Sequence, residues 1–184
     1  MRIVAGSARG VRLAPVPRGV RPVSDAAREG VFSSLAGDVP GARVLDLYAG
    51  TGAMGIEALS RGAARAVLVE RDRAALRTIR DNLARAKVGD RAEVVASDVR
   101  SFVMRDGDPA AGFDLVLADP PYAIDPGELE AVLAALGSAG APDGARTVVL
   151  TRPKRSSTPV IPVHWLLARR LTYGDTLVFI FREA

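Results

Sequence analysis

The sequence predicts an α/β fold built on a mostly parallel, seven-stranded sheet, with an antiparallel hairpin at its C-terminal end and a small β-hairpin at its N-terminal end. Three observations support this prediction. From Arg43 onward, short apolar runs alternate with stretches of helical periodicity. The runs are almost continuously apolar, which is typical of parallel strands covered by helices on both faces. The last two runs are separated only by Thr172-Tyr173-Gly174-Asp175, which is short enough for a hairpin turn.

The first 22 residues differ from the rest of the chain. Two short β-like runs, residues 2–5 and 11–14, flank a glycine-bearing loop and predict a hairpin. Prolines at positions 15, 17 and 22 then predict an irregular connector. We therefore expect residues 1–22 to form an N-terminal hairpin extension with its connector, and residues 23–184 to form the main domain.

The main domain is predicted element by element. Ser24 is a suitable N-cap for a helix that ends near Leu35. Strands are then expected at residues 44–48, 66–69, 92–96, 114–118 and 147–151, helices at residues 54–61, 72–86 and 129–136, and a short helix between the third and fourth strands. Residues 166–171 and 176–181 complete the sheet as an antiparallel pair. Five parallel strands followed by such a hairpin are the layout of the class I, Rossmann-like methyltransferase fold, whereas a dehydrogenase would normally add a sixth parallel strand.

Composition excludes several kinds of chemistry. The chain has no cysteine, so it has no disulfide, no thiolate metal site and no cysteine nucleophile, and it lacks the usual route to methylation at C5 of a pyrimidine. Its one histidine, His164, rules out a multi-histidine site, and we expect no metal. No apolar run reaches the ~20 residues of a membrane span, and the first nine residues do not resemble a secretory signal. We expect a cytoplasmic protein that works without a membrane.

The positive charge is concentrated at the start of the chain. Residues 1–30 contain six arginines and two acids, so this segment carries the whole net charge of +4. Arginine favours bidentate contact with phosphate and stacking on bases. The hairpin and connector are therefore candidates for binding nucleic acid, unless the hairpin is only an appendage of the fold. The candidate side chains are Arg2, Arg9, Arg12, Arg18 and Arg21.

A glycine-rich loop follows the first predicted strand, in the sequence Asp46-Leu47-Tyr48-Ala49-Gly50-Thr51-Gly52. Gly50, Gly52 and Gly55 lie between a strand and a helix, where missing side chains let a ligand approach the backbone. Glu70 ends the next strand, twenty residues beyond Gly50, and is placed to bind ribose hydroxyls. A nicotinamide dehydrogenase would show both features, so the loop indicates a nucleoside cofactor without identifying it.

Three further acids favour S-adenosylmethionine. Asp46 lies within the first strand, where a carboxylate can reach the amino-acid part of this cofactor and where a pyrophosphate-binding loop has no use for one. Asp98 follows the third strand and is placed to accept a hydrogen bond from the adenine amino group. Asp119 ends the fourth strand, and ligands of such sheets bind at the carboxyl ends of the strands. Tyr48 either lines the same pocket or packs in the core. The predicted cofactor site consists of Asp46, Tyr48, Gly50, Gly52, Glu70, Asp98 and Asp119.

The motif Asp119-Pro120-Pro121-Tyr122 is suited to methylation of an exocyclic amino group. An aromatic amino nitrogen is a poor nucleophile, because its lone pair is delocalised into the ring. The Asp119 carboxylate and the Pro120 carbonyl can accept hydrogen bonds from its two N–H groups. These bonds aim the lone pair of the nitrogen at a sulfonium methyl group, so positioning supplies much of the catalysis. Pro121 further stiffens the backbone, and Tyr122 can stack the target base. Since a base inside a helix cannot reach such a site, we expect an unstacked or flipped nucleotide.

With both motifs in place, the chain resembles the RsmD family of bacterial 16S ribosomal RNA guanine-N2 methyltransferases over nearly its full length. The resemblance implies an S-adenosylmethionine-dependent enzyme that acts on guanine N2 through Asp119 and Tyr122. Its implied partner is 16S RNA in an assembling small ribosomal subunit, and the basic hairpin is implied to contact RNA. One departure occurs at Leu150-Thr151-Arg152, where members of that family often carry a glutamate. The segments that carry the resemblance are Arg2-Ile3-Val4-Ala5-Gly6, Arg21-Pro22-Val23-Ser24-Asp25 with Arg28-Glu29, Glu70-Arg71-Asp72, and the motifs at 46–52 and 119–122.

Other functions stay open on the residues alone. A DNA methyltransferase acting at adenine N6 or cytosine N4 would use the same chemistry at Asp119, although no separate target-recognition domain is visible in the sequence. A protein-glutamine methyltransferase would need the same two acceptors. A nucleotide-binding oxidoreductase would explain the glycines but would not need Asp119, and a non-catalytic RNA-binding module would need neither Asp46 nor Asp119. For the ribosomal RNA methyltransferase we expect a monomer.

Overall fold

The structure is a computed structural model that describes residues 1–14, 23–105, 111–138 and 146–183. Within these ranges the strands are β1 (Arg43–Leu47), β2 (Arg65–Glu70), β3 (Ala92–Ala96), β4 (Leu115–Ala118), β5 (Arg146–Pro153), β6 (Trp165–Tyr173) and β7 (Thr176–Glu183). The α-helices are α1 (Asp25–Ser34), α2 (Ala53–Ser60), α3 (Arg73–Ala86), α4 (Val99–Val103) and α5 (Pro126–Ser138). A single 3₁₀ turn covers Gly89–Arg91. The predicted connector, residues 15–22, lies outside the described residues.

The strands form one sheet in the order β3-β2-β1-β4-β5-β7-β6. The first five strands are parallel, whereas β7 runs antiparallel between β5 and β6. The predicted seven-stranded, mostly parallel sheet with a C-terminal antiparallel hairpin is confirmed. The strand order reverses between β1 and β4, and open α/β sheets bind their ligands beside such a reversal.

Apolar side chains fill both faces of the sheet. One cluster joins α1, α2 and α3 to the sheet and includes Phe32, Ile56 and Ile79. The other joins α4 and α5 to the opposite face and includes Phe102 and Leu133. Because both faces are covered, residues of β1 and β4 are buried on both sides, which explains their continuous apolar runs. No helix in the described ranges is long and apolar enough to cross a membrane.

Every described α-helix except α2 begins at a polar side chain. Ser24, Asp72 and Asp98 cap α1, α3 and α4, each by accepting a hydrogen bond from the backbone N–H three residues later. The helix α5 begins three residues before its predicted start. Asp125 accepts a hydrogen bond from the N–H three residues on, and Pro126 suits the first helical turn because it has no N–H to leave unpaired.

The predicted N-terminal hairpin is confirmed as an antiparallel turn of the chain, but its strands are not. Instead of two strands over residues 2–5 and 11–14, the structure has one isolated antiparallel bridge, between Arg2 and Arg12. Two backbone hydrogen bonds close the turn around this bridge. The N–H of Gly10 donates to the carbonyl oxygen of Ile3 at 2.9 Å, and the N–H of Ile3 donates to the carbonyl oxygen of Val11 at 3.0 Å. The ladder is short because other groups bind the backbone of the first run.

Buried polar side chains of α2 and α3 provide those groups. Glu57 accepts hydrogen bonds from the N–H groups of Val4 and Ala5, at 2.8 and 3.0 Å, so these donors bind a side chain rather than a partner strand. Ser60 binds the hairpin turn through both its carbonyl and its hydroxyl group. Asn82 accepts a hydrogen bond from the backbone at the end of the hairpin and donates one to the glycine loop after β1.

Arg28 is buried in α1 and does not contribute to a positive surface. Its guanidinium pairs with Asp25 at 2.8 Å and also donates to the carbonyl oxygens of Val23 and Arg2. Arg28 therefore fastens the hairpin to α1. Because the pair is internally neutral, the other arginines of residues 1–30 still carry the excess charge of the segment.

Gly6 and Gly10 form a matched pair for testing how closely the hairpin packs on α2. Both have positive φ angles, +83° and +85°, so alanine strains the backbone at either position. A Cβ at position 6 would lie 1.8 Å from the carbonyl oxygen of Ser60, whereas a Cβ at position 10 would meet no described atom within 4 Å. We expect Gly6→Ala to lower the free energy of unfolding in urea by roughly 1–3 kcal/mol more than Gly10→Ala does. Equal losses would contradict close packing of this turn.

Candidate active site

Three acids lie at the same edge of the sheet. The strand β1 pairs with β2 on one side and with β4 on the other. Asp46 lies next to the last residue of β1, Glu70 ends β2, and Asp119 directly follows β4. The backbone N–H of Asp119 also donates to the carbonyl oxygen of Leu47, at 3.4 Å. The structure thus brings these three carboxyl groups together at the carboxyl ends of the strands.

The glycine loop between β1 and α2 is folded around Glu70. The N–H of Gly50 donates to one Glu70 oxygen at 2.9 Å, and the other oxygen accepts two N–H groups just beyond β2. Gly50 and Gly52 have φ angles of +58° and +76°, a region that favours glycine. Among the described atoms, a Cβ on Gly50 would meet only the carbonyl oxygen of Tyr48, at 3.9 Å. The backbone of the loop is therefore open to a ligand on this side.

Asp46 is a buried acid, 2% exposed, that replaces the missing side-chain cap of α2. The N-cap of α2 is Gly52, and the N–H of Gly55 in the first turn donates instead to Asp46, at 2.9 Å. Burial raises the pKa of Asp46 well above its ordinary value; the Gly55 hydrogen bond opposes this rise, and the charges of Asp119 and Glu70 add to it. No basic side chain in the described part of the chain pairs with Asp46. A cationic ligand group beside this carboxyl would therefore be favoured.

Asp98 and Tyr48, the other two predicted cofactor residues, have different surroundings. Asp98 caps α4 through Ser101 and pairs with Arg71 at 3.0 Å, so both its oxygens already have partners. Tyr48 is half-buried against the core on the α4 and α5 side, and its φ of +58° is uncommon for a bulky residue. Burial raises the pKa of the Tyr48 hydroxyl, which is buried with no hydrogen-bond partner among the described residues. A buried hydroxyl without a partner is a candidate for contact with a ligand.

Asp119 is half-buried and contacts a residue of β5 that the sequence analysis did not assign to the site. The hydroxyl of Thr151 donates a hydrogen bond to Oδ1 of Asp119. Arg152, the next residue, places its guanidinium 3.4 Å from the carbonyl oxygen of Pro121. Burial raises the pKa of Asp119 to about 6, although the Thr151 hydrogen bond and the Arg152 charge both act to lower it. The parallel pairing of β4 with β5 is the signal that could have identified Thr151, because it sets these two residues side by side.

The rest of the motif leaves an acceptor and an aromatic ring available. Pro120 is buried, and its carbonyl oxygen accepts no hydrogen bond from the described part of the chain. The carbonyl of Pro121 accepts one from the N–H of Ile124, at 3.0 Å, which shapes the turn after the motif. The side chain of Tyr122 is exposed, at 42%. The site therefore offers Oδ2 of Asp119 and the Pro120 carbonyl as two acceptors near an exposed ring.

Three of the five predicted nucleic-acid-binding residues, Arg2, Arg9 and Arg12, lie within the described ranges. Arg2 and Arg12 are exposed and lie beside the first turn of α1. Arg9 lies in the hairpin turn, which rests on Ser60 at the end of α2. Because α2 runs away from the carboxyl ends of the strands, Arg9 lies toward the opposite edge of the sheet. The last two candidates lie outside the described residues, and they are Arg18 and Arg21.

The chain is similar to known proteins over nearly its full length, both in sequence and in structure. Residues 1–182 match the family model described as Conserved hypothetical protein 95. The chain is similar to Ribosomal RNA small subunit methyltransferase D of Escherichia coli K12, with 37% identity over 187 residues that cover 100% of this chain and 91% of that protein. The solved structure of yhhF from Escherichia coli has a TM-score of 0.86 and 34% identity, covering 100% of this chain and 97% of that one. A hypothetical protein of Thermus thermophilus has a TM-score of 0.81 and 35% identity over 98% of each chain.

Proposed function

Because the chain belongs to the family described as Conserved hypothetical protein 95, the RsmD family of small-subunit ribosomal RNA methyltransferases, we propose that it methylates N2 of a guanine in 16S ribosomal RNA with S-adenosylmethionine as the donor. The arrangement at Asp119 carries this proposal. A half-buried carboxylate with one unengaged oxygen lies beside a prolyl carbonyl without a partner among the described residues, at the same edge of the sheet as Asp46. Two acceptors of this kind suit an amino group, which has two hydrogens to donate.

The residues at the carboxyl ends of β1, β2 and β4 fit S-adenosylmethionine. This cofactor carries an α-amino cation, and Asp46 is a buried acid without a basic partner among the described residues. Gly50 leaves the loop open, and Glu70, whose carboxylate accepts three backbone hydrogen bonds, keeps one acceptor site on Oε2 for a ribose hydroxyl. Asp98 would face the adenine, and the Tyr48 hydroxyl would contact the bound ligand. When bound, the cofactor supplies an electrophilic methyl group on a cationic sulfur.

Asp119 and Pro120 would act by positioning the target amino group. Oδ2 of Asp119 and the Pro120 carbonyl accept its two N–H groups, which leaves the nitrogen lone pair directed at the methyl donor. Tyr122 stacks the unpaired base, a contact worth about 1–3 kcal/mol. The nitrogen gives up one proton once the new bond has formed. Since burial raises the pKa of Asp119 to about 6, its carboxylate is suited to take this proton near neutral pH.

The RNA substrate follows from family membership and from the distribution of charge. We propose 16S RNA in the small subunit or its assembly intermediate as the partner, and guanine as the target on the same ground. Residues 23–184 would form the methyltransferase domain, and residues 1–22 a basic extension that contacts RNA through Arg2, Arg9, Arg12, Arg18 and Arg21. We place the reaction in the cytoplasm, carried out by a monomer without a metal or a membrane.

Transfer of a labelled methyl group tests the proposed substrate. Small subunits that lack the modification, naked 16S RNA and double-stranded DNA are each incubated with labelled S-adenosylmethionine. We expect label in ribosomal RNA and none in DNA. Label in DNA alone would support the rival methylation of adenine N6 or cytosine N4. Binding of the cofactor without label in any nucleic acid would point to a protein acceptor.

The rate of methyl transfer should fall on the acid side of a midpoint near pH 6. In the ionised form of Asp119, Oδ2 carries no proton and can accept a hydrogen bond while Thr151 holds Oδ1, and the pKa of this carboxyl is raised to about 6. At pH 5 about one tenth of the carboxyl groups would be ionised, so kcat/KM should be roughly tenfold lower than at pH 7.5. The measurement is a pH profile at constant ionic strength, with RNA integrity checked at each pH. A rate unchanged down to pH 5 would contradict an ionised Asp119 as acceptor.

Substitution of two hairpin arginines should weaken RNA binding without affecting the cofactor. Each phosphate contact that is lost lowers the slope of log K against log salt by about 0.7–0.9. Arg9→Gln with Arg12→Gln should therefore reduce this slope by about 1–2, while affinity for S-adenosylhomocysteine stays the same. The control replaces Arg80 and Arg85, which are exposed on α3, in the same way. Equal salt slopes in the wild type and the hairpin variant would exclude phosphate contacts by these two residues.

A further inference from the structure

Thr151 and Asp119 are neighbours across two parallel strands. Ala118, the last residue of β4, is in register with Leu150 of β5, so Asp119, which directly follows β4, comes level with Thr151 of β5. Thr151 is buried, at 2% exposure, and its hydroxyl donates a hydrogen bond to Oδ1 of Asp119. The contact thus lies where the paired strands β4 and β5 hold the start of the Asp119 motif.

The hydroxyl of Thr151 makes the two oxygens of the Asp119 carboxylate different from each other. Oδ1 is engaged by Thr151, whereas Oδ2 accepts no hydrogen bond from the described part of the chain. A carboxylate fixed at one oxygen cannot rotate freely about its last bond, so the direction of the other oxygen is also fixed. The charged groups that face Asp119 are Asp46 from β1 and Arg152 from β5. Neither of these forms a hydrogen bond with it.

We propose that Thr151 is a positioning residue, which holds Oδ1 of Asp119 so that Oδ2 points at the amino group to be methylated. This inference rests on the proposed function. A threonine hydroxyl is the donor in the pair, so it also favours the ionised carboxylate over the protonated acid. The side chain itself needs no contact with the cofactor or the base.

The test compares three variants in the full-length protein. Thr151→Val removes the hydroxyl and keeps the branched shape, and Thr151→Ser keeps the hydroxyl. Thr147→Val is the matched control, because Thr147 is buried in the same strand and its hydroxyl binds Arg182 instead of a residue of the site. The measurements are kcat for methyl transfer to small subunits, affinity for S-adenosylhomocysteine, and the titration of Asp119 by ¹³C NMR of its carboxyl carbon. The last two do not depend on the RNA substrate.

We expect Thr151→Val to lower kcat by roughly tenfold to a hundredfold, the range that corresponds to one hydrogen bond to a charged group. The titration midpoint of Asp119 should rise in this variant, while cofactor affinity changes by less than about threefold. Thr151→Ser should restore both properties, and Thr147→Val should alter neither. An unchanged Asp119 titration in Thr151→Val, or an unchanged kcat, would overturn the positioning role. Wild-type protein that leaves ribosomal RNA unmethylated but shows the Thr151-dependent titration would contradict the proposed function alone.

Discussion

Asp119→Asn is expected to reduce methyl transfer to ribosomal RNA about a thousandfold, within the usual range for the loss of a group that positions or accepts a proton. The amide that replaces the carboxylate has one acceptor oxygen instead of two. Because the Thr151 hydroxyl is a donor, it would hold that oxygen at the position of Oδ1 and leave the NH₂ group in place of Oδ2. The substrate amino group would then face a donor. The measurement is a single-turnover rate with saturating cofactor.

The fold and the cofactor site should survive this change. Affinity for S-adenosylhomocysteine, measured by calorimetry, should stay within a few fold of the wild type. Asp81→Asn, an exposed site on α3, is the control and should leave the rate unchanged. A rate for Asp119→Asn within tenfold of the wild type, with normal cofactor binding, would remove Asp119 from the mechanism.

Glu57→Ala is expected to lower the free energy of unfolding by about 3 kcal/mol. Glu57 is fully buried and accepts hydrogen bonds from the N–H groups of Val4 and Ala5 and from the guanidinium of Arg61. Its loss leaves these three part-buried donors without their buried partner. Urea unfolding measures the total loss. Amide hydrogen exchange should show that Val4 and Ala5 lose more protection than β1 does.

Two variants control for other causes of this loss. Glu57→Gln keeps the shape and one acceptor oxygen, so it should lose less stability than alanine. Glu130→Ala removes an exposed carboxylate from α5 and should change the free energy of unfolding by less than about 0.5 kcal/mol. A loss below about 1 kcal/mol for Glu57→Ala would mean that the hairpin is held mainly by its apolar contacts.

The parts of the fold that could be predicted are those marked by a pattern among residues close together in the sequence. Continuous apolar runs identify strands covered on both faces, and Ser24 identifies the start of α1 through its capping hydrogen bond. The early start of α5 also has such a signal, since Asp125 followed by Pro126 is a common beginning of a helix. The buried Arg28 lies three residues after Asp25, a spacing that permits an ion pair on one helical face.

The parts that were not predictable depend on partners far away in the chain. Val4 lies 53 residues from Glu57, which binds its N–H and so prevents a regular strand. Thr151 lies 32 residues from Asp119, and only the pairing of β4 with β5 shows that they touch. By sequence alone, Leu150-Thr151-Arg152 is a departure from the pattern of the RsmD family. The structure gives this position a physical partner, because threonine donates a hydrogen bond to the carboxylate beside it.

The identity of the methylated nucleoside tests the central claim most directly. Small subunits lacking the modification are treated with wild-type protein or Asp119→Asn and labelled S-adenosylmethionine, and the RNA is digested to nucleosides for mass spectrometry. Our account predicts labelled N2-methylguanosine with the wild-type protein and little or none with the variant. Label in N6-methyladenosine or N4-methylcytidine, or the same amount of N2-methylguanosine from both proteins, would contradict it.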